Sequence, residues 1–355
     1  MAYLILANGE VFEGKRIGAP GDGVGELVFT TGMMGYLETL TDPSYAGQIV
    51  IQTFPLIGNY GVTSPDFEGK SPGKSVVRGY VVRELCDEPS NFRSDYPLNE
   101  LLIQNGIPGI CGVDTRRLTR ILRDQGVMNA YICDDLPKDI GFISDYRVSG
   151  VVCEVSSDHI VSLPAFEESK YKVSLIDYGV KKSICTYLRK KGCDVTVFPA
   201  SSSAEEILAD DPDGVVLSNG PGDPSENSFQ IEQIRQILGN KPLFGICLGH
   251  QLTALAAGGK TYKLKFGHRG SNQPVKDLKS GRTFITSQNH GYAVDASTLE
   301  GKGEISFINA NDGSCEGVDY PSLKCFTVQF HPEAAAGPLD TNFLFGRFID
   351  LISRK

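Results

Sequence analysis

The sequence predicts an α/β protein in two parts, a C-terminal domain built on a doubly wound, mostly parallel sheet and a separate, mixed, β-rich N-terminal domain. Three observations predict it. From Tyr171 onward, short β-branched runs alternate with helical patterns. Before about residue 150 that alternation is missing, and glycines, prolines and short extended runs take its place. At 355 residues the chain also exceeds the usual size of one domain.

The alternation forms four units: Val173 to Asp177 then Lys181 to Lys191; Asp194 to Phe198 then Ala204 to Ala209; Gly214 to Ser218 then a segment with Ile231, Ile234, Ile237 and Leu238 on one helical face; Pro242 to Ile246 then Leu248 to Ala257. Strands and helices repeating this way build a parallel sheet covered on both faces, with ligands expected where strands run into helices. Residues 260 to 330 shift to short strand-like runs, and Asn342 to Leu351 closes the chain with a Phe-rich helix. The boundaries read as 1–150 for the first domain, 151–170 for a linker region (Ser162 to Lys172 having linker texture) and 171–355 for the second. Met1 to Glu10 reads as a first strand ending in an Asn-Gly turn, with no basic leader and an apolar run too short for a secretion signal or membrane span.

Composition narrows the function. Apolar residues are 41% and charged residues 22% of the chain, as in ordinary globular proteins. A net charge of −9 argues against nucleic acid as a partner, which would need clustered lysine and arginine. Nine cysteines without zinc-like spacing fit free thiols in a reducing, cytoplasmic setting, and no metal site is expected. Gly73-Lys74-Ser75 is read as a turn rather than a phosphate loop, because Glu68 stands where the loop needs its first glycine.

Only Cys247 has a chemical context. Gly245-Ile246-Cys247-Leu248-Gly249 follows a buried-strand pattern and opens a helix, the arrangement of a nucleophile elbow with a thiol in place of a hydroxyl. Helix-terminal amides favour the thiolate, and the Leu248 amide would face a developing oxyanion. Alone, the pattern fits equally a buried cysteine at the end of a core strand. A thiol nucleophile needs a base and the base an orienting carboxylate, and His331-Pro332-Glu333 supplies both just after the strand-like run Cys325 to Phe330. Ser218-Asn219-Gly220-Pro221-Gly222 follows another strand and can turn successive amides into a concavity for a carbonyl oxygen or carboxylate. Gln288-Asn289-His290-Gly291-Tyr292 reads as a binding loop or an ordinary turn. His159 and His268 are expected at the surface or in packing, and His250 on the elbow helix.

Together, Gly220-Pro221-Gly222, the Cys247 elbow and His331-Pro332-Glu333, in that order, resemble a class I, triad-type glutamine amidotransferase over residues 171 to 355. The resemblance implies that Cys247 attacks the glutamine side-chain amide, His331 shuttles protons and Glu333 orients His331. It further implies that Gly222 and Leu248 amides stabilise the oxyanion, while Gly220, Gln251, Asn289, Gly291 and Tyr292 hold L-glutamine. In the first half, Gly25 to Tyr45, Pro55 to Gly61 and Gly112 to Arg120 are similar to the N-terminal domain of carbamoyl phosphate synthetase small subunits. That likeness implies that Ser44 reaches toward the glutamine site, although Asp42-Pro43-Ser44 by itself reads as a turn.

The same likeness implies a large partner subunit that carries ATP and magnesium, phosphorylates bicarbonate and receives ammonia through a tunnel. No cofactor is expected on this chain, which has no complete phosphate loop. Gly267 to Pro274 departs from the family pattern, with Arg269 and Gln273 where histidines are usual, and any role for that segment is open. Two rivals remain: an amidotransferase for another pathway, such as anthranilate or guanylate synthesis, and a non-catalytic protein that keeps the fold and binds an amino acid.

Overall fold

The computed structural model describes residues 1–353, and the chain divides into two compact units, Met1–Ser149 and Gly150 onward. Among the described residues of the first unit, seven strands close into a barrel: β1 (Ala2–Leu6), β2 (Val11–Gly18), β3 (Gly23–Thr30), β4 (Gln48–Ile57), β5 (Gly79–Leu85), β6 (Pro108–Cys111) and β7 (Met128–Cys133). The order is β1-β2-β6-β5-β4-β3-β7, with β7 returning to β1, so the barrel sheet has no free edge. Helices α1 (Tyr36–Thr41), α2 (Leu98–Gln104), α3 (Thr115–Gln125) and α4 (Gly141–Asp145) complete the unit. Leu37 and Leu40 of α1 and Leu98, Leu101 and Leu102 of α2 pack on Val28, Val50, Tyr80 and Val82.

Sequence chemistry fixes these helices locally. The Tyr60 hydroxyl accepts the backbone N–H groups of Gly35 and Tyr36 at 2.8 and 3.2 Å, meeting donors that the start of α1 leaves without helical partners. Asp114 caps α3 by accepting the Arg117 N–H at 2.9 Å. Ser44 is buried in a short turn, Pro43–Tyr45, whose start is fixed by Asp42 Oδ1 accepting the Ser44 N–H at 2.8 Å.

The second unit runs α5 (Val151–Val155), β8 (Val161–Leu163), β9 (Tyr171–Asp177), α6 (Lys182–Lys190), β10 (Cys193–Pro199), α7 (Ala204–Ala209), β11 (Gly214–Leu217), α8 (Ser228–Ile237), β12 (Leu243–Ile246), α9 (Leu248–Ala256), β13 (Thr261–Asp277), β14 (Thr283–Val294), β15 (Glu304–Asn309), β16 (Cys315–Tyr320), β17 (Cys325–Val328) and α10 (Phe343–Ser353). Its described strands form one sheet in the order β14-β13-β15-β16-β17-β12-β11-β9-β10-β8. The five from β17 to β10 are parallel. Those from β13 to β16 join antiparallel, so the sheet as a whole is mixed. The reason is connection length: the turns after Asp277 and Asn309 are too short for a crossover helix and can only form hairpins.

Helices cover both faces of the parallel region. Ile207 of α7, Ile234 and Ile237 of α8 and Leu252 of α9 pack with Val215, Leu217 and Leu243 on one side. Ile184 and Leu188 of α6 and Phe345, Phe348 and Ile352 of α10 pack with Val173, Leu175, Val216 and Phe244 on the other. Residues 214–217 and 243–246 are apolar or glycine throughout because both of their faces are buried. Val161–Leu163, within the segment read as a linker, is instead an edge strand that pairs antiparallel with Val195–Val197.

Candidate active site

The site lies where β11, β12 and β17 end. Parallel register sets Ile246 beside Val328, so the residues that follow each strand emerge side by side. Cys247, buried, is the turn between β12 and α9 and holds φ 53°, ψ −101°, a backbone conformation that a residue with a side chain adopts only under constraint from its surroundings. Three hydrogen bonds hold it there: the Cys247 N–H to Val328 O at 2.8 Å, the Gln251 N–H to Cys247 O at 3.2 Å and the Gly249 N–H to Ser218 O at 3.1 Å. The glycine after the nucleophile is required sterically, because a Cβ at Gly249 would stand 2.5 Å from Leu217 O.

His331 leaves the end of β17 and is anchored by its N–H to Ser287 O at 2.9 Å. Its Nδ1 meets Glu333 Oε1 at 2.7 Å, and the same oxygen pairs with Lys181 Nζ at 2.9 Å, with all three side chains buried. That leaves Nε2 on the other side of the ring without a well-formed partner, while the Cys247 thiol is near enough to act on the ring's basicity. Burial and the Lys181 ammonium oppose protonation of His331. The Glu333 carboxylate and Cys247 outweigh them and hold it up at about 9. Burial would raise Glu333, but Lys181 and His331 together bring it down to about 2. The row is therefore a carboxylate between two cations, with an imidazolium available beside the thiol at neutral pH.

Around the thiol stand residues expected to hold substrate. Asn289 O faces Cys247 Sγ at 3.7 Å, and Gln329 Nε2 lies 3.6 Å from the same sulfur. Gln251 donates to Tyr292 O at 2.8 Å and to Gln329 Oε1 at 2.9 Å. Gly220 is pressed against Tyr178 O and the Leu248 side chain, and Gly222, at φ 88°, lies under Val151. Gly291 packs beside the Arg269 guanidinium. One neighbourhood thus gathers Cys247, Leu248, Gln251, Asn289, Tyr292, His331 and Glu333, with the Gly220 loop against the elbow. Ser44 belongs to the first unit, where its local role is the turn already described.

The family profile "Glutamine amidotransferase class-I" matches residues 174–351, and "Carbamoyl-phosphate synthase small chain, CPSase domain" matches residues 4–132. The carbamoyl phosphate synthase small chain of Bacillus cereus is 48% identical over 98% of this chain and 95% of its own length. The chain belongs to the carbamoyl-phosphate synthase small chain family. Similar relatives of the same name include those of Bacillus caldolyticus, 49% identical over 98% of this chain and 96% of the relative, and Syntrophotalea carbinolica, 46% identical over 100% and 98%. The protein is accordingly a glutamine-hydrolysing carbamoyl phosphate synthase small chain, and membership implies glutamine as substrate and a large-chain partner.

In this small chain several functional neighbours carry no local signal. Lys181 looks in sequence like the polar start of a helix, and only the fold takes it to Glu333. The turn that delivers it is held by Asp177, whose Oδ1 accepts the N–H groups of Gly179 and Val180 at 2.9 and 2.7 Å. Gln329, inside an apolar strand run, gives no sign that its amide lies between Gln251 and Cys247. His268, expected at the surface or in packing, is buried and paired with Asp312 and Glu316. His250 donates or accepts at Thr327 Oγ1, 2.8 Å away, and burial lowers it to about 3, so it stays neutral. Arg269 is the register partner of Asn289, its Nη1 donating to Phe266 O at 2.7 Å, while Gln273 pairs with Thr286. Among the described residues no helix is long and apolar enough to cross a membrane.

Proposed function

We propose that this small chain hydrolyses glutamine through a thioester on Cys247 and delivers the ammonia to a large ATP-dependent chain that makes carbamoyl phosphate from bicarbonate, for arginine and pyrimidine synthesis. The observation that carries the reading is the buried row from Lys181 through Glu333 and His331 to a thiol held at positive φ. Cys247 Sγ attacks the side-chain carbonyl carbon of glutamine, and the Gly222 and Leu248 amides receive the oxyanion. The His331 imidazolium protonates the departing nitrogen, releasing ammonia and leaving the acyl group on sulfur. Water then attacks the thioester, giving its proton to His331, and glutamate leaves as the thiol reforms.

Substrate orientation falls to Gly220, Gln251, Asn289, Gly291 and Tyr292. The Nδ2 of Asn289, buried without a hydrogen-bond partner in the fold, suits an acceptor on the bound amino acid. Ser44 is assigned to the same task by the family likeness alone. ATP and magnesium belong to the large partner, and a protected route for ammonia has a chemical reason, since protonation in water would end its nucleophilicity. The nine free cysteines support a reducing, cytoplasmic setting.

The test compares wild type with Cys247→Ser, measuring glutamate release alone and with a purified large chain added. We expect a loss of at least about a thousandfold in the variant and stimulation of the wild type by the partner. Hydrolysis surviving in Cys247→Ser ends the thioester reading, and co-purification with a different synthase ends the pathway assignment.

A further inference from the structure

A second buried polar cluster lies across β13, β14, β15 and β16, next to the catalytic row but outside the chemistry assigned to it. Glu316, fully buried, accepts from Gln288 Nε2 at 3.0 Å and Asn309 Nδ2 at 3.1 Å and faces His268 Nδ1 at 3.4 Å. His268 continues to Asp312 through Nε2 at 2.9 Å. His290 stands edge-on to His268, with Nε2 at 3.1 Å from Gln288 Oε1 and Nδ1 at 2.8 Å from Tyr292 O. Burial raises Glu316, and the donors on His268, Asn309 and Gln288 work against it. Burial lowers His268 less than the Glu316 and Asp312 carboxylates beside it raise it, so both members of the pair are shifted upward.

The cluster is joined to the reacting groups at both ends of Glu316. Its side chain holds Gln288, which sits between Ser287, whose carbonyl accepts the His331 N–H at 2.9 Å, and Asn289, whose carbonyl faces the Cys247 thiol. Its backbone carbonyl accepts the Gln329 N–H at 2.9 Å, and the Gln329 side chain touches both Cys247 and Gln251. A buried acceptor that satisfies donors on two strands at once fixes their relative position more strongly than apolar packing does, because any slip leaves a polar group unpaired.

We propose that Glu316, with His268 packed against its carboxylate, is a positioning residue that locks β14 at Gln288, so that Asn289, Tyr292 and Gln329 present an assembled site to glutamine. The inference rests on the glutaminase reading above. Glu316 touches no reacting atom, and its effect passes through Gln288 and Gln329. Loss of the lock lowers the fraction of molecules with the loop in place, which weakens glutamine binding while leaving the thiol and imidazole chemistry intact in those that bind.

The experiment measures glutamine KM, kcat and thermal midpoint in the full chain for Glu316→Ala, Glu316→Gln and His268→Asn. We expect KM to rise about tenfold in Glu316→Ala with kcat within about threefold of wild type. Glu316→Gln, which keeps an acceptor and the side-chain volume, recovers most of that KM, and His268→Asn gives an intermediate rise. An unchanged KM in folded Glu316→Ala overturns the proposal, and so does a fall in kcat and folded fraction together that Glu316→Gln does not relieve. His268, His290 and Glu316 also offer three ligand atoms within 4.8 Å of one another, so metal content is measured on the same samples. A stoichiometric divalent ion in wild type, absent from Glu316→Ala, makes the cluster a metal site and overturns the positioning role. If wild type neither hydrolyses glutamine nor is labelled at Cys247 by an electrophilic glutamine analogue, the glutaminase reading fails first and the inference with it. Labelled wild type beside an unaffected variant removes the positioning role alone.

Discussion

Lys181→Met tests the electrostatics of the row most directly. The substitution keeps an unbranched side chain of similar length and removes the ammonium 2.9 Å from Glu333 Oε1. Glu333 then remains ionised and buried with only His331 to balance it. Removing one member of a buried pair costs about 3–5 kcal/mol, because the remaining charge keeps its desolvation penalty. For a unit of roughly 200 residues, 3 kcal/mol lowers the melting midpoint by about 6–12 °C. The pH dependence carries the sharper signature. Lys181 opposes protonation of His331, so its loss raises an imidazole already held at about 9. The alkaline limb of the glutaminase profile, where the imidazolium is lost, moves up by about one pH unit. Calorimetry and a profile of kcat/KM between pH 6 and about 11 measure both effects. A variant that melts with wild type and whose profile superimposes on it refutes the picture of Glu333 shared between two cations.

Three further outcomes follow from the same geometry. His331 is raised from 6.5 to about 9 in the fold, so its stabilising contribution is complete below pH 6.5 and disappears as pH rises through 9. On the order of 3 kcal/mol goes with it, read as a fall in the urea midpoint between pH 7 and 10 that His331→Asn flattens. Glu333 works in the opposite sense: lowered from 4.5 to about 2, it contributes above 4.5 and loses that contribution as pH falls toward 2, so Glu333→Gln flattens the acid side of the same urea series. Gly249→Ala places a methyl 2.5 Å from Leu217 O, rigid backbone that cannot step aside, and we expect a loss of about 1–3 kcal/mol in stability with a fall in kcat as the elbow shifts. Near-wild-type melting and turnover in that variant would mean the elbow is looser than its contacts imply.

Local chemistry in the sequence carried much of the site. A thiol between glycines after a buried strand, and a histidine and glutamate after another, could be read because strand ends and tight turns leave compositional marks. The four strand-helix units were legible for the same reason: Ala204–Ala209 is a helix as read, the helices read as Lys181 to Lys191 and Leu248 to Ala257 end within one residue of those bounds, and Leu238, read on a helical face, caps α8 instead. What the sequence hid was everything decided by long-range pairing. Lys181 and Glu333 are neighbours only because β9 and β17 lie in one sheet, and Glu316 matters only through strands that hairpins fold back beside the thiol. The antiparallel extension was visible as short extended runs, but their order in the sheet was not, since pairing partners have no signature in a single chain. The segment before Tyr171 looked unpatterned because a three-residue strand is too short to show a period.

That three-residue strand has a practical consequence for dissecting the protein. Val161–Leu163 covers the outer edge of β10, and Ser157 just before it donates through its N–H and hydroxyl to Asp177 at 2.8 and 2.5 Å. A fragment begun at Tyr171, where the alternating pattern starts, would expose the N–H and C=O groups of Val195 and Val197 as a template for a second copy and would strip two donors from the carboxylate that shapes the turn to Lys181. Truncation at that point trades a finished border for an adhesive one, whereas starting at Gly150 preserves both the cover and the tether.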